Sequence, residues 1–319
     1  MALKEMLLGY FDNHPDVVSS GEELAKMFHV SRAAVWKAIG SLKEDGFEIE
    51  SVPGKGYVYS RRNDILRKES IYEAAGRNDF AILLFDEIDS TNTYGRKLAA
   101  GEARDGTFIV ANSQSAGRGR QGHSFYSPSG TGLYATYLLR VQKPAQAVLK
   151  TTIAAAVACQ QAIAICTGLS PKIKWVNDIF IDKAKVAGIL CEATQDLETH
   201  MVDWVIVGVG INIKTSSFPE EIKDIAGSLG VDDLSRNKLA GVLYDRIDYW
   251  THRLEDPMLL EIYRRESLLV GKQIRYEKNG NAMEGIAVGI NEEGNLLVRN
   301  MDGTQVALSS GEVSVKDWG

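Results

Sequence analysis

Between Gln114 and Gly122 the chain reads Gln-Ser-Ala-Gly-Arg-Gly-Arg-Gln-Gly, a run of residue types suited to holding an anion. Gly117, Gly119 and Gly122 let a backbone come close to a ligand, and Arg118 and Arg120 add two permanent cations with planar donors. Successive N–H groups in such a loop form an anion-binding concavity, and arginine meets carboxylate or phosphate oxygens two at a time. A surface turn with two solvated arginines is the competing interpretation. Gly117 to Gly122 also fits the dinucleotide pattern G-x-G-x-x-G, which requires a helix next and an acidic residue about twenty positions on. The segment His123 to Gly130 contains Pro128 and cannot open a helix, and Val141 and Gln142 are not acids. A dinucleotide fold is excluded at this site.

Other charges and polar groups stand where an apolar strand is expected. Lys174 to Ile181 and Lys185 to Glu192 read as two strands joined by a turn near Asp182 and Lys183. Asp178 and Lys185 are embedded in them, and a buried charge needs a partner or a ligand. An internal ion pair satisfies that need as well as a substrate does. Ser90, Thr91 and Asn92 precede a helix, where such a run caps the first turn or presents hydroxyls and an amide to a polar ligand. Two arginines, a lysine and a polar turn suit a small carboxylate together with a nucleotide phosphate. No Ser-His-Asp or Cys-His arrangement and no Walker A loop is visible, so catalysis rests on positioning and electrostatics. Cys159, Cys166 and Cys191 are few, odd in number and free of metal spacing, which suits a reducing cytoplasm and buried apolar roles.

The elements that must hold these residues follow from periodicity. The chain has 319 residues, 45% hydrophobic and 24% charged, with a net charge of −6. That is the composition of a soluble protein of two or three domains, and the net charge argues against polyanion binding by the whole surface. The first ten residues lack the apolar core of a signal peptide, and the apolar run Ile153 to Ile165 is too short to span a bilayer.

Met1 to Asn13 has a helical period, Ser20 with Glu23 makes a capping box for Gly21 to Phe28, and Ser31 caps a helix from Arg32 to Glu44. Phe47 to Val52 and Tyr57 to Tyr59 then form a hairpin, so the first sixty residues read as a winged helix-turn-helix. Ser31, Arg32, Ala33, Ala34 and Lys37 would face a DNA major groove, with Lys55 on a phosphate. A protein-interaction winged helix is the competing reading, because residues 1–65 carry eight cations against ten acids. A DNA-binding module of this kind is expected to act as a two-fold dimer.

Arg61 to Asp64 starts a linker and Leu66 to Gly76 is a connecting helix. Strands are expected at Ala81 to Phe85, Thr107 to Asn112, Leu133 to Leu139 and Asp203 to Gly210, with helices at Thr93 to Ala100 and Pro144 to Thr167. Consecutive strands without intervening helices predict a mixed or antiparallel sheet with helices to one side, an α+β domain. Past a helix at Met258 to Glu266, four short strands separated by Asn279-Gly280, Glu293-Gly294 and Asp302-Gly303 predict a small β-barrel.

The segments Asp89 to Asn92, Gly117 to Gly122, Ser127-Pro128 with Gly132 to Tyr134, Lys174 to Asp178, Lys185 to Leu190 and Gly208 to Asn212 occur in the order and spacing of the biotin protein ligases. The winged helix ending Val52 to Tyr57 resembles that of members that also repress the biotin operon, and the resemblance covers nearly the whole chain. It implies a DNA-binding domain at 1–65, a class II synthetase-like ligase domain at 66–268 and an SH3-like domain at 269–319. It implies ATP, Mg²⁺ and biotin, with biotinyl-5′-AMP as intermediate and corepressor, a biotin carboxyl carrier protein as acceptor, operator DNA, and a homodimer when the adenylate is bound.

By the same resemblance Ser90, Thr91, Asn92, Gln114, Gly117, Gly119 and Gly188 would bind biotin. Arg118, Arg120 and Lys185 would hold carboxylate and phosphate oxygens and carry catalysis. Phe125, Asn177 and Asn212 would lie at the nucleotide, and Asp178 would hold Mg²⁺. Val176 stands where the family commonly has proline, and Gln121 where some relatives have a further arginine. No second adenine-stacking aromatic is evident around Ile225 to Leu229. A lipoate or octanoate ligase, and a sensor without catalysis, are the alternatives.

Overall fold

A computed structural model describes residues 2–60, 63–101, 103–143, 147–195, 201–278, 281–311 and 313–316. The chain packs as two compact units, Met1–Ser70 and Ile71–Gly319.

In the first unit, α1 (Leu3–Asn13), α2 (Gly21–Met27) and α3 (Arg32–Glu44) pack with a three-stranded antiparallel sheet of β1 (Val18–Ser19), β2 (Ile49–Val52) and β3 (Gly56–Tyr59), in the order β1-β3-β2. Ser31 caps α3 as its sequence predicts, its Oγ accepting from the Ala34 amide at 3.1 Å, whereas Ser20 Oγ caps α2 through the Glu22 amide at 3.2 Å and not through the expected box with Glu23. Leu7, Phe11, Leu24, Val35, Ile39 and Leu42 are the apolar stripes of the three helices and form one buried cluster with Ile49 and Tyr59. The linker residues Arg61 and Arg62 lie outside the described residues.

The second unit begins with α4 (Lys68–Ala75), whose first residues close the first unit, and is built on a seven-stranded sheet. Its strands are β4 (Ile82–Ile88), β5 (Thr107–Gln114), β6 (Gly132–Lys143), β7 (Lys172–Lys174), β8 (Asp178–Ile181), β9 (Ala184–Gln195) and β10 (Val202–Asn212), in the order β4-β5-β6-β10-β9-β8-β7. Only β4 and β5 run parallel; the other pairs are antiparallel, so the sheet is mixed as expected. The stretch expected as one strand from Lys174 is interrupted: β7 ends at Lys174, Trp175–Asn177 turn the chain with a cis Trp175–Val176 peptide, and β8 starts at Asp178.

The helices are α5 (Thr91–Ala99), α6 (Ala147–Thr167), α7 (Arg236–Thr251) and α8 (Pro257–Arg265). They do not gather on one side of the sheet. A Cβ on Gly95 of α5 would touch Leu138 and Thr136, whereas the intervening Tyr137 donates to Asp248 of α7 at 2.7 Å. Neighbouring strand residues point to opposite faces, so α5 covers one face and α7 the other, with α6 against α7. Two-sided cover explains why Phe108–Ala111 and Val205–Val209 are continuously apolar. The start of α6 at Pro144 to Gln146 lies outside the described residues. Val148–Thr167 is long and apolar enough to cross a membrane, but most of it is buried as a core helix.

The C-terminal strands β11 (Gln273–Lys278), β12 (Asn281–Ile290), β13 (Leu296–Asn300), β14 (Gln305–Leu308) and β15 (Val313–Val315) make an antiparallel sheet in the order β14-β13-β12-β11-β15. The expected barrel is not closed, because the end strands β14 and β15 do not pair among the described residues. The Asn279-Gly280 turn lies outside them.

Candidate active site

β5 delivers the glycine-arginine loop at one end of the large sheet, and backbone bonds hold its start. The Ser115 amide donates to Ile88 O at 2.9 Å and the Ala116 amide to Asp89 O at 2.8 Å. The loop then folds back on itself. Gly119 N donates to His123 O at 2.7 Å, Phe125 N to Gly117 O at 2.9 Å, and Gln121 (φ 54°) and Gly122 (φ 82°) supply the reversal. Gly117 is a requirement of packing: a Cβ there would overlap Phe125 O and stand 2.7 Å from Ser127 Oγ.

Beside the loop lies a polar floor. Ser90 caps α5 through Thr93 N at 3.4 Å. The Thr91 amide and hydroxyl lie 2.9 and 3.1 Å from Gln114 Oε1, and Gln114 Nε2 donates to Ser127 Oγ at 2.8 Å. Thr136 Oγ1 is 2.8 Å from Thr91 Oγ1 and 2.7 Å from Asn92 Oδ1, and its single proton serves one of them at a time. The Asn92 amide is committed to the protein as well, donating to Leu190 O at 3.1 Å and Glu192 Oε2 at 3.0 Å. The cap and the polar lining are therefore both realised by one Ser-Thr-Asn turn.

The cations each have a protein neighbour. Arg118 Nη2 stands 3.3 Å from Glu192 Oε1, which also pairs with Arg96. Arg120 Nη1 donates to Asn177 Oδ1 at 2.9 Å. Lys185 Nζ lies 2.7 Å from Asp178 Oδ1, an ion pair by distance in which that oxygen has no aligned hydrogen bond. Asn177 is fixed by donating Nδ2 to Ile189 O at 2.8 Å, and its turn is tied down from two sides. Tyr263 of α8 donates to Val176 O at 3.0 Å, and Trp175 Nε1 donates to Gly294 O, between β12 and β13, at 3.0 Å. Asn212 donates to Gly227 O, leaving a buried Oδ1 with no protein partner. A Cβ on Gly210 would overlap the Phe125 ring, so this glycine makes room for the aromatic residue.

These groups border one cavity of about 960 Å³. Ser90, Thr91, Asn92, Gln114, Arg118, Gly119, Arg120, Phe125, Asn177, Asp178, Lys185, Gly188 and Asn212 all line it, and Gly117 stands behind Phe125. Burial pushes the Tyr134 phenol and the Cys191 thiol up to about 12, so near neutral pH neither is a base or nucleophile. Arg118, Arg120 and Lys185 equip the cavity to hold a carboxylate and phosphates.

Several lining residues escaped the sequence reading. Tyr126 and Phe218, with ring centroids 6.3 Å apart, are aromatic walls; the Phe218-Pro219 pair after Asn212 was the available signal. Arg275 and Tyr276 arrive from the C-terminal sheet, for which no local signal exists. In the first unit Ser31, Arg32, Ala33, Lys37 and Lys55 are exposed and Ala34 half-buried. Trp36, 70% exposed on α3, was not singled out, although it lies off the Val35-Ile39-Leu42 stripe.

Residues 84–212 match the Biotin/lipoate A/B protein ligase family, 6–58 an HTH domain, and 269–316 the Biotin protein ligase C terminal domain. The chain is 33% identical over 97% of its length, and 97% of the relative's, to the Bifunctional ligase/repressor BirA of Bacillus spizizenii. It is 33% identical over 68% of its length to the Biotin--[acetyl-CoA-carboxylase] ligase of Mycobacterium tuberculosis, covering 82% of that protein. The solved biotin protein ligase of Aquifex aeolicus in complex with biotin and ATP superposes with a TM-score of 0.62 at 28% identity, over 74% of this chain and 98% of that one.

Proposed function

Because this chain belongs to the biotin protein ligase family and matches its bifunctional ligase/repressors nearly end to end, we propose that it activates biotin with ATP, transfers the biotinyl group to a lysine of a biotin carboxyl carrier protein, and represses biotin genes in response to biotinyl-5′-AMP. The observation that carries this reading is the convergence of Arg118, Arg120 and Lys185 with the Ser90-to-Gln114 floor on one cavity.

In the first step a biotin carboxylate oxygen attacks the α-phosphorus of ATP, the bond to the β-phosphate oxygen breaks, and pyrophosphate leaves. In the second a neutral lysine amine attacks the acyl carbon of the mixed anhydride, AMP leaves with the bonding electrons, and the nitrogen gives up one proton to solvent to become the amide. Arg118, Arg120 and Lys185 bring the two anions together and meet the charge that develops between them. Ser90, Thr91 and Gln114 bind the polar end of biotin, with Gly119 and Gly188 leaving space beside it. Asn92 supports that floor from beneath. Phe125 covers the ligand, and the unpartnered Asn212 Oδ1 is an acceptor for a nucleotide donor.

Among the described residues no three metal-binding side chains converge. A nucleotide-borne Mg²⁺ needs only one or two carboxylates beside its phosphate ligands, and the buried Asp178 Oδ1, lacking an aligned hydrogen bond, fits that role. Such an ion neutralises phosphate charge when bound.

Ser31, Arg32, Ala33, Ala34 and Lys37 face operator DNA and Lys55 its backbone, the adenylate favouring a homodimer matched to a two-fold site. We read the C-terminal sheet as SH3-like, the ligase domain as class II synthetase-like, and the functional divisions as 1–65, 66–268 and 269–319. ATP, carrier protein and operator together imply the cytoplasm. The test is pyrophosphate release from purified protein with ATP and Mg²⁺. Release that requires biotin and is absent with lipoate supports the ligase; release with lipoate or octanoate reassigns the acid; no release despite biotin binding leaves a sensor.

A further inference from the structure

Glu192 takes no part in the chemistry above, yet two side chains of the site, Arg118 and Asn92, meet on it together with Arg96 of α5. It lies on β9 with a side chain only 18% exposed. Its Oε1 pairs with Arg96 of α5 and, at 3.3 Å, with Arg118. Its Oε2 accepts from Asn92 at 3.0 Å, and Asn92 continues through Thr136 and Thr91 to Gln114. One carboxylate therefore joins the loop arginine to the floor of the cavity.

The contacts are unequal in a way that suggests exchange. Arg118 is 41% exposed and lines the cavity, and its single 3.3 Å contact is weaker than the bidentate fit a carboxylate or phosphate offers. A mostly buried carboxylate abandoned by its cation is strongly destabilised. Here it is not abandoned, since Arg96 and Asn92 remain when Arg118 leaves.

We propose that Glu192 is a positioning residue that holds Arg118 beside the cavity and releases it to the anionic substrate, Arg96 and Asn92 satisfying the carboxylate in both states. The inference rests on the reading of Arg118 as a substrate ligand. Glu192 and the substrate compete for Arg118, so a weaker hold by Glu192 means tighter substrate, and a stronger hold the reverse. Arg96 competes with Arg118 for the same oxygen. The two substitutions Glu192→Gln and Arg96→Met must then act with opposite sign, which no purely structural role of Glu192 predicts.

The experiment uses full-length protein, biotin, ATP and Mg²⁺. It measures biotin affinity by calorimetry, dissociation of the preformed biotinyl-5′-AMP complex, and trypsin cleavage after Arg118 without ligand. Glu192→Gln should slow adenylate release and speed cleavage, each roughly 2- to 5-fold, the scale of a partly exposed ion pair. Arg96→Met should do the opposite by a similar factor. In an Arg118→Ala background both effects on ligand affinity should vanish. Shifts of the same sign, no shift, or effects that persist without Arg118 overturn the proposal. Absence of biotin-dependent pyrophosphate release from the wild-type protein is a separate result and overturns the ligase reading instead.

Discussion

Arg118 and Gly117 are adjacent; the proposed adenylation uses one for its charge, and the packing of the loop needs the other for its lack of a side chain. On that proposal Arg118→Ala removes a cation aimed at the developing charge, so adenylation should slow on the order of 10²-fold, measured as initial pyrophosphate release. A wild-type rate would refute the assignment. Gly117→Ala forces a Cβ onto Phe125 O. The fold-back of the loop should be lost at little cost to melting temperature, with adenylation down about 10²-fold through misplaced arginines. Unchanged kinetics would mean the loop is formed otherwise when substrate is bound. At this scale the residue types were legible, because glycines and arginines in one loop suit close approach to an anion, although a solvated surface turn has the same composition. Partner choice was not: Asp178 and Lys185 could each have had a ligand alone, and they lie 2.7 Å apart across β8 and β9.

At the scale of elements, α3 was legible to the residue, because Ser31 caps it and one apolar stripe runs along it. α7 was not anticipated. Its buried face includes Arg236, Asn237, Tyr244 and Trp250, which blur the apolar period of Leu239, Leu243 and Ile247. The exposed position of Lys55, in the turn between β2 and β3, leads to one prediction. Lys55→Ala should weaken operator and random DNA alike and lower the salt slope of binding by about one. An unaltered slope would take Lys55 off the phosphate backbone. A second concerns the end of α7, where His252 Nε2 lies 3.4 Å from Asp105. That hydrogen bond raises the imidazole from its ordinary 6.5 to about 9. A raised folded-state value gives stability that is fully present below pH 6.5 and is lost as pH climbs through 9. The melting-temperature gap between wild type and His252→Gln should therefore be widest near pH 6 and close by about pH 10. A gap independent of pH would remove the charge from the account.

For the whole molecule, the ligase and helix-turn-helix functions are linked if one ligand favours the DNA-bound state. Biotin with ATP should raise operator affinity about 5- to 150-fold in fluorescence anisotropy, and by reciprocity operator DNA should tighten adenylate binding. Equal affinity with and without biotin would leave two independent activities on one chain. The sequence by itself determined the helix-turn-helix and the loop and turn residues that line much of the cavity, since caps, periodicity and motif spacing act over a few neighbouring positions. Only the tertiary structure decided that helices cover both faces of the large sheet, that β7 and β8 are separate strands, that the C-terminal sheet stays open, and that Glu192 gathers Arg96, Arg118 and Asn92. Each of these depends on contacts between residues distant in the chain, where geometry and competition among partners choose what local sequence leaves open.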